Sequence, residues 1–415
     1  MSARALAVLL HGEHVADVER VRRGELRLTY LADAARSGTT PLSLSLPPEV
    51  GRFTGAVVSR YLWGLLPENG QALAAVARQH GADPHDPLSL LAAIGLDCAG
   101  AVQLTPADAI ESVRQRDGSL EPARDVEHRL AQMRLSDEAS WTMAEDHWSL
   151  GGTQQKFTLR SSEGRWFYPR GSLPSTHIVK PGVRTARHQA LLEHLSMRAA
   201  SLLGLAAAST GYLDFGSERA IVVERFDRVA HDGEIRRVHQ EDLCQALGVE
   251  EKYESLGGPG VLAVVGLLRA AAATARQAEA SVAAFLDGVI YNVVIAAPDA
   301  HARNFSVVLD GGDVSLAPLY DVATGLAYAR RPGHPRLGSM SVSGTYDLDE
   351  VDGDSWRRLG DTVAVDGDRL AQRAESLRDG ATAAFEKAAG EIDDWDGGVR
   401  DVMARLAPRL VGRGT

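Results

Sequence analysis

Asp299, Asn304 and Asp321 are the residue types that phosphoryl transfer from a nucleotide requires. A carboxylate orients the attacking hydroxyl, and an Asn and an Asp offer oxygens to the magnesium ion that holds the phosphates. They stand in Asp299-Ala300-His301-Ala302-Arg303-Asn304 and Leu319-Tyr320-Asp321. An apolar, helix-like run over 281–296 leads into the first motif. Residues 305–309 and 314–317 then read as strands joined by Asp310-Gly311-Gly312-Asp313. Such a hairpin returns the chain and predicts that Asn304 and Asp321 face one another. A D-x-x-x-x-N pair alone is equally the pattern of loop residues bonding their own backbone. The helix before it, the hairpin inside it and the Asp after it favour the chemical reading.

Other residues fit the same chemistry. Lys180 ends an apolar strand pattern over 176–180, and Glu193 lies in the helical pattern that follows. A lysine held by a helical carboxylate offers a localised positive charge to phosphates, whereas alone it reads as a solvated strand end. In Ser149-Leu150-Gly151-Gly152-Thr153-Gln154, two glycines let backbone N–H groups approach phosphate oxygens. No G-K-[ST] follows, so this is not a Walker loop, and a plain turn is the competing reading. Residues 221–228 form an apolar strand that opens into Glu224, Arg225, Phe226, Asp227 and Arg228. Backbone groups there can pair with an adenine edge while Phe226 covers the ring, or the stretch is a buried strand with a solvated end. His301, between two candidate catalytic residues, is placed to touch a phosphate.

The elements that position these residues follow from the rest of the chain. At 415 residues it exceeds one ordinary core, so two or three folding units are expected. Hydrophobic content of 45% with 24% charge is that of a globular protein, and a net charge of −11 argues against a broad surface for nucleic acid. Two distant cysteines, Cys98 and Cys244, exclude a disulfide framework and a zinc site. The apolar run 5–10 is too short for a secretory core or a membrane span, so a cytoplasmic protein is expected. Strands are expected at 5–10 and 26–30, with helices to about 104 and then a polar connector running to Glu145. Strands follow at 155–160, 165–168, 176–180 and 220–226, with a helix over 188–203. After Gln240 nearly everything reads as helix apart from the hairpin, with 270–280 as plain Ala-rich helix and a helical tail over 366–411. Strand-rich followed by helix-rich sequence predicts an α+β fold of two lobes with a cleft between them.

Taken together the motifs resemble the HipA family, the serine/threonine kinase toxins of bacterial type II toxin–antitoxin pairs. The N-terminal likeness rests on Leu42-Ser43-Leu44-Ser45-Leu46-Pro47, Leu65-Leu66-Pro67-Glu68 and Gly95-Leu96-Asp97-Cys98-Ala99-Gly100-Ala101-Val102. Beyond it come the Ser149 loop, His177-Ile178-Val179-Lys180-Pro181, residues 223–228 and 239–246, Lys252-Tyr253-Glu254-Ser255, Gly257-Gly258-Pro259-Gly260 and the two motifs above. The resemblance implies a HipA N-terminal subdomain over 1–105, a connector and β-rich kinase N-lobe over 106–236, and a helical C-lobe over 237–415. It implies Asp299 as catalytic carboxylate, Asn304 and Asp321 as Mg²⁺ ligands and Lys180 as phosphate contact. Glu224, Arg225 and Phe226 become the adenine hinge, His301 and Gln240 further ATP contacts, and Ser149 the autophosphorylated serine whose modification silences the enzyme. It also implies a HipB-like helix-turn-helix antitoxin that brings the operator DNA, and a protein substrate such as an aminoacyl-tRNA synthetase, with growth arrest as the outcome. Two departures stand out: Pro298 stiffens the entry to Asp299, and Arg303 replaces the lysine often found there. The competing functions are a small-molecule kinase of the aminoglycoside or choline type and an inert repressor-binding module.

Overall fold

The computed structural model of the chain describes residues 4–36, 38–135, 148–183, 185–329 and 333–412. They form an α+β protein of two compact units, one of Met1–Arg184, Leu213–Glu250 and Val307–Asp313, the other of Thr185–Tyr212, Glu251–Ser306 and Val314–Thr415.

In the first unit an antiparallel five-stranded sheet runs in the order Arg52–Thr54, Leu26–Tyr30, Glu13–Arg20, Ala5–Leu10, Val102–Thr105. Helices Ala56–Gly64 and Pro87–Ile94 pack against it. The strand Glu13–Arg20 was not expected, because only Ala16 and Val18 of its eight residues are buried and the pattern is dominated by charge. A second sheet places Glu218–Glu224, His177–Lys180, Phe157–Ser162, Arg165–Pro169 and Leu120–Pro122 side by side. Phe157, Val179 and Val222 join Leu28, Leu62 and Ile94 in one apolar core. In the connector, Leu120–Pro122 is a strand and Val126–Leu135 a helix. Its charged run onward to Glu145 lies outside the described residues.

A buried ion cluster ties this unit together. Asp97 accepts from Arg228 Nη2 (2.9 Å), Arg225 Nη1 (3.3 Å), Arg237 Nη2 (3.3 Å) and Ser175 Oγ (2.6 Å). Asp227 pairs with Arg225 Nη2 (2.8 Å) and takes the Gly100 N–H (2.7 Å). Burial alone raises the pKa of Asp97, but the three guanidinium groups outweigh it and hold the carboxyl well below its usual range. Gly100 sits at φ +74°, and a Cβ there would lie 2.7 Å from Gln240 O, so glycine is required for this approach.

The second unit is helical around Gly367–Gly390, which packs on Gln189–Leu202, Ala275–Val294, Gly353–Val363 and Gly398–Val411. Its buried face alternates Leu370, Leu377 and Phe385 with the small Ala371, Ala374, Ala381, Ala384 and Ala388, and a Cβ on Gly380 would come within 2.6 Å of Leu203 Cδ2. Close helix packing explains the Ala-rich tail. Two expectations are corrected here. The 270–280 stretch is broken: Val261–Ala271 ends, and Ala275–Val294 starts under Thr274, whose Oγ1 accepts the Gln277 N–H (3.2 Å). A second hairpin, Leu337–Val342 with Thr345–Asp347, interrupts the helical half. No helix among the described residues is long and apolar enough to cross a membrane.

Candidate active site

In the second unit, helix Ala275–Val294 delivers the chain to Asp299. Gly288 makes this possible, because a Cβ there would lie 2.8 Å from Leu319 Cδ2 and 3.1 Å from Phe305 Cε1. Phe305 instead meets Phe285 edge to face at 5.1 Å. The helix ends with Ala296 at φ +48°, and Ser339 Oγ donates to Pro298 O (2.8 Å), fixing the proline next to Asp299.

Asp299 projects outward, its side chain 65% exposed. Tyr253 O–H donates to Asp299 Oδ1 (3.1 Å), and His301 Nε2 lies 3.7 Å from the same oxygen. Asn304 Nδ2 donates to Asp299 O (2.6 Å), which leaves the Asn304 amide oxygen to face a cation. Strands Ser306–Asp310 and Asp313–Leu316 then carry the chain out and back, and Ala317 N–H bonds Ser306 O (2.9 Å). Leu319 is held by backbone bonds with Ala206 and Ala208, both 2.8 Å. Tyr320 O–H donates to Arg303 O (2.8 Å) and pairs with Ser306 Oγ (2.6 Å), stapling the residue before Asp321 to the residue before Asn304. Asp321 itself is held at φ +58°, a conformation that Asp tolerates better than most residues. Asn304 and Asp321 offer oxygen ligands, the donor chemistry magnesium selects; a Mg²⁺ ion held there would complete its shell with phosphate and water. Among the described residues no cluster of three or more His, Cys, Asp or Glu could hold a metal without such help.

The first unit holds the glycine loop and the lysine. Ser149 is fully buried and donates through Oγ to Leu65 O (2.6 Å). Lys156 Nζ donates to Gly151 O, and Glu68 N–H to Gly152 O (3.2 Å). Both glycine carbonyls therefore point at protein donors. In trans peptides the following N–H groups, of Gly152 and Thr153, point the other way, as an anion cradle requires. Gly152 at φ +95° makes the turn, and Gln154 continues the loop. Lys180 is buried at the end of His177–Lys180, paired in register with Ile221. Gln240 opens the strand Gln240–Asp242, and its Oε1 is buried without a partner among the described residues.

Arg225 has a different occupation from the one expected of a hinge residue. Nε donates to Asp227 Oδ1 (2.9 Å), Nη1 to Ser175 Oγ (2.9 Å) and Asp97, and Nη2 to Cys98 O (2.8 Å) and Asp227 Oδ2, while its backbone N–H bonds Thr176 O (2.9 Å). Every donor it has serves the ion cluster or the sheet. Glu224 is exposed and Phe226 half-buried beside it. Glu193, fully buried in the second unit, takes a bond from Gln189 Nε2 (3.3 Å). The structure thus gathers Asp299, His301, Asn304 and Asp321 in one unit and Ser149, Gly151, Gly152, Thr153, Gln154, Lys180, Glu224, Phe226 and Gln240 in the other. Tyr253 escaped sequence reasoning, since nothing in the spacing of its motif tells that it reaches Asp299.

Residues 6–105 match the HipA N-terminal domain, and residues 148–385 match the HipA-like C-terminal domain. The Sinorhizobium fredii protein Y4mE is 32% identical over 406 residues, 95% of this chain and 94% of its own. The Shewanella oneidensis serine/threonine-protein kinase toxin HipA is 33% identical over 310 residues, 71% of this chain and 69% of its own. The solved complex of Shewanella oneidensis HipA, HipB and operator DNA superposes with a TM-score of 0.81 at 25% identity, covering 98% of this chain and 96% of that one. Two family domains, a relative matched over nearly its whole length and a matching fold make this chain a member of the HipA family.

Proposed function

We propose that the chain is an ATP- and Mg²⁺-dependent serine/threonine protein kinase toxin. The observation that carries this reading is Asp299 held at the lip of a turn whose other residues, Asn304 and the stapled Asp321, present hard oxygen ligands. Asp299 takes the proton of an acceptor Ser or Thr hydroxyl as its oxygen bonds the γ-phosphorus, and the bond to the bridging oxygen breaks to leave ADP. Mg²⁺, held by Asn304 and Asp321, supplies charge neutralisation on the phosphates. Lys180 and the N–H groups of Gly152 and Thr153 grip the phosphates. Glu224, Phe226 and Gln240 border the adenine, and His301 contacts a phosphate oxygen. The substrate class is a protein of translation such as an aminoacyl-tRNA synthetase, phosphorylation of which stalls growth. A HipB-like antitoxin is the partner, since the solved relative is bound to HipB on operator DNA. It supplies the positive surface for DNA that a chain of net charge −11 lacks.

Ser149 is the self-modified residue in this reading. Its hydroxyl is buried, so a phosphate carrying nearly two charges has no room there and would force the Trp148–Ser149 strand and the glycine loop out of place. Incubation with labelled ATP alone should label the wild type but not Ser149→Ala, which keeps or gains toxicity and loses about 1 kcal/mol of stability with the bond to Leu65. Stoichiometric label on that variant would remove Ser149 from the scheme. Lys180→Ala should weaken ATP binding at least about tenfold by calorimetry, in line with loss of a charge-assisted phosphate contact. Unchanged affinity would exclude Lys180 from the nucleotide site.

A further inference from the structure

Two motifs find no use in the proposed chemistry: Lys252-Tyr253-Glu254-Ser255 and Gly257-Gly258-Pro259-Gly260. In the second unit they form one folded bracket. Glu251 Oε1 accepts the N–H groups of Lys252 (2.8 Å) and Tyr253 (2.9 Å), and the chain doubles back so that Gly258 N–H bonds Tyr253 O (2.9 Å). Only glycine permits this. Gly257 sits at φ +98°, a Cβ on Gly258 would lie 2.7 Å from Glu251 O, and one on Gly260 would lie 2.1 Å from Glu254 Oε1. Glu254 anchors the bracket to the second hairpin by accepting the Ser341 N–H (2.5 Å) and hydroxyl (3.2 Å). Lys252 O accepts the Ala302 N–H (3.3 Å), tying the bracket to the Asp299 loop itself.

What the bracket carries is the Tyr253 hydroxyl. Its ring stands edge to face on His301 at 5.1 Å, with Lys252 Nζ 5.3 Å over its centre, and its O–H reaches Asp299 Oδ1. Asp299 otherwise hangs from an exposed loop, free to rotate about χ1 and χ2. A donor on Oδ1 fixes that carboxylate and leaves Oδ2, which has no partner among the described residues, as the oxygen that meets the acceptor hydroxyl.

We infer that Tyr253 is a positioning residue for the phosphoryl transfer, selecting Oδ2 of Asp299 as the proton-accepting oxygen, and that the glycine-rich bracket exists to hold it there. The inference rests on the kinase reading. The Tyr253 hydroxyl acts through Asp299, so its removal, with the ring kept on His301, falls on the transfer step and not on nucleotide binding.

The test is the initial rate of γ-phosphate transfer from labelled ATP to the protein itself, in the full chain, for Tyr253→Phe, Asp299→Asn and the double variant. Tyr253→Phe keeps the ring on His301 and loses only the hydroxyl. It should lower the rate at saturating ATP about tenfold, as loss of a hydrogen bond to a charged group does, with the ATP affinity and melting temperature of the wild type. In the Asp299→Asn background the same change should have no further effect, because residues that act as one unit are not additive. A purely structural tyrosine would give independent, multiplied effects in the double variant, and that result overturns the inference, as does a Tyr253→Phe rate equal to wild type. Full activity of Asp299→Asn would instead overturn the kinase assignment of that residue.

Discussion

Asp299→Asn is expected to lower γ-phosphoryl transfer by about 10²–10⁴-fold, the range that loss of a positioned general base costs, while leaving ATP binding and the fold intact. The fold survives because the side chain is largely exposed and its only hydrogen bond among the described residues is with Tyr253. The amide retains an oxygen for that bond but cannot take a proton from the acceptor. Purified protein with labelled ATP measures the loss directly, and expression in cells without an antitoxin measures its consequence, which should be normal growth. Arrest that persists with Asp299→Asn would make the protein an inert module acting by complex formation. Transfer to a small cationic alcohol without any Ser149-dependent self-label would make it a small-molecule kinase.

The largest effect on stability is expected at Asp97. Asp97→Ala leaves the buried Arg225 and Arg228 and the part-buried Arg237 with Asp227 as the single remaining carboxylate of the cluster. Removing one partner from a buried ionic network costs about 3–5 kcal/mol, a large part of the ~5–15 kcal/mol that keeps a domain folded. Urea or thermal unfolding of the purified variant should show the first unit melting early. The pH dependence has a definite sign. The folded pKa of Asp97 is held below its unfolded value, so its stabilisation is complete above the ordinary carboxylate range and fades as pH falls toward the depressed folded value. Asp97→Asn should flatten that acid-side decline. An Asp97→Ala protein as stable as the wild type, with the same acid profile, would show that the cluster does not hold the unit together.

The cluster also shows where sequence reading stops. Gly95–Val102 and the 223–228 stretch were recognised as separate motifs, the second as an adenine hinge. In the fold they meet, since Asp97, Cys98 and Gly100 from one receive Arg225 and Arg228 from the other. A hydrophobic period reports which face of a strand is buried, but it says nothing about which distant charge a buried arginine has found. The same limit hid the bracket around Tyr253, whose glycines make close approaches that spacing does not show.

The sequence by itself determined the local elements with strong periodicity and punctuation. The Ala5–Leu10 and Leu26–Tyr30 strands, the Gln189–Leu202 helix, the helical tail and the out-and-back path between Asn304 and Asp321 were all legible. Through motif order it also determined the family. Weakly patterned segments such as Glu13–Arg20 and Leu337–Val342 were lost because the first buries few of its side chains and the second is half Gly and Ser. Only the tertiary structure decided that Ser149 is buried against Leu65, that Arg225 belongs to the ion cluster, and that a tyrosine from another motif holds the Asp299 carboxylate. The physical reason is range: spacing encodes contacts within a turn or a hairpin, whereas hydrogen bonds between residues far apart in the chain depend on how whole elements pack.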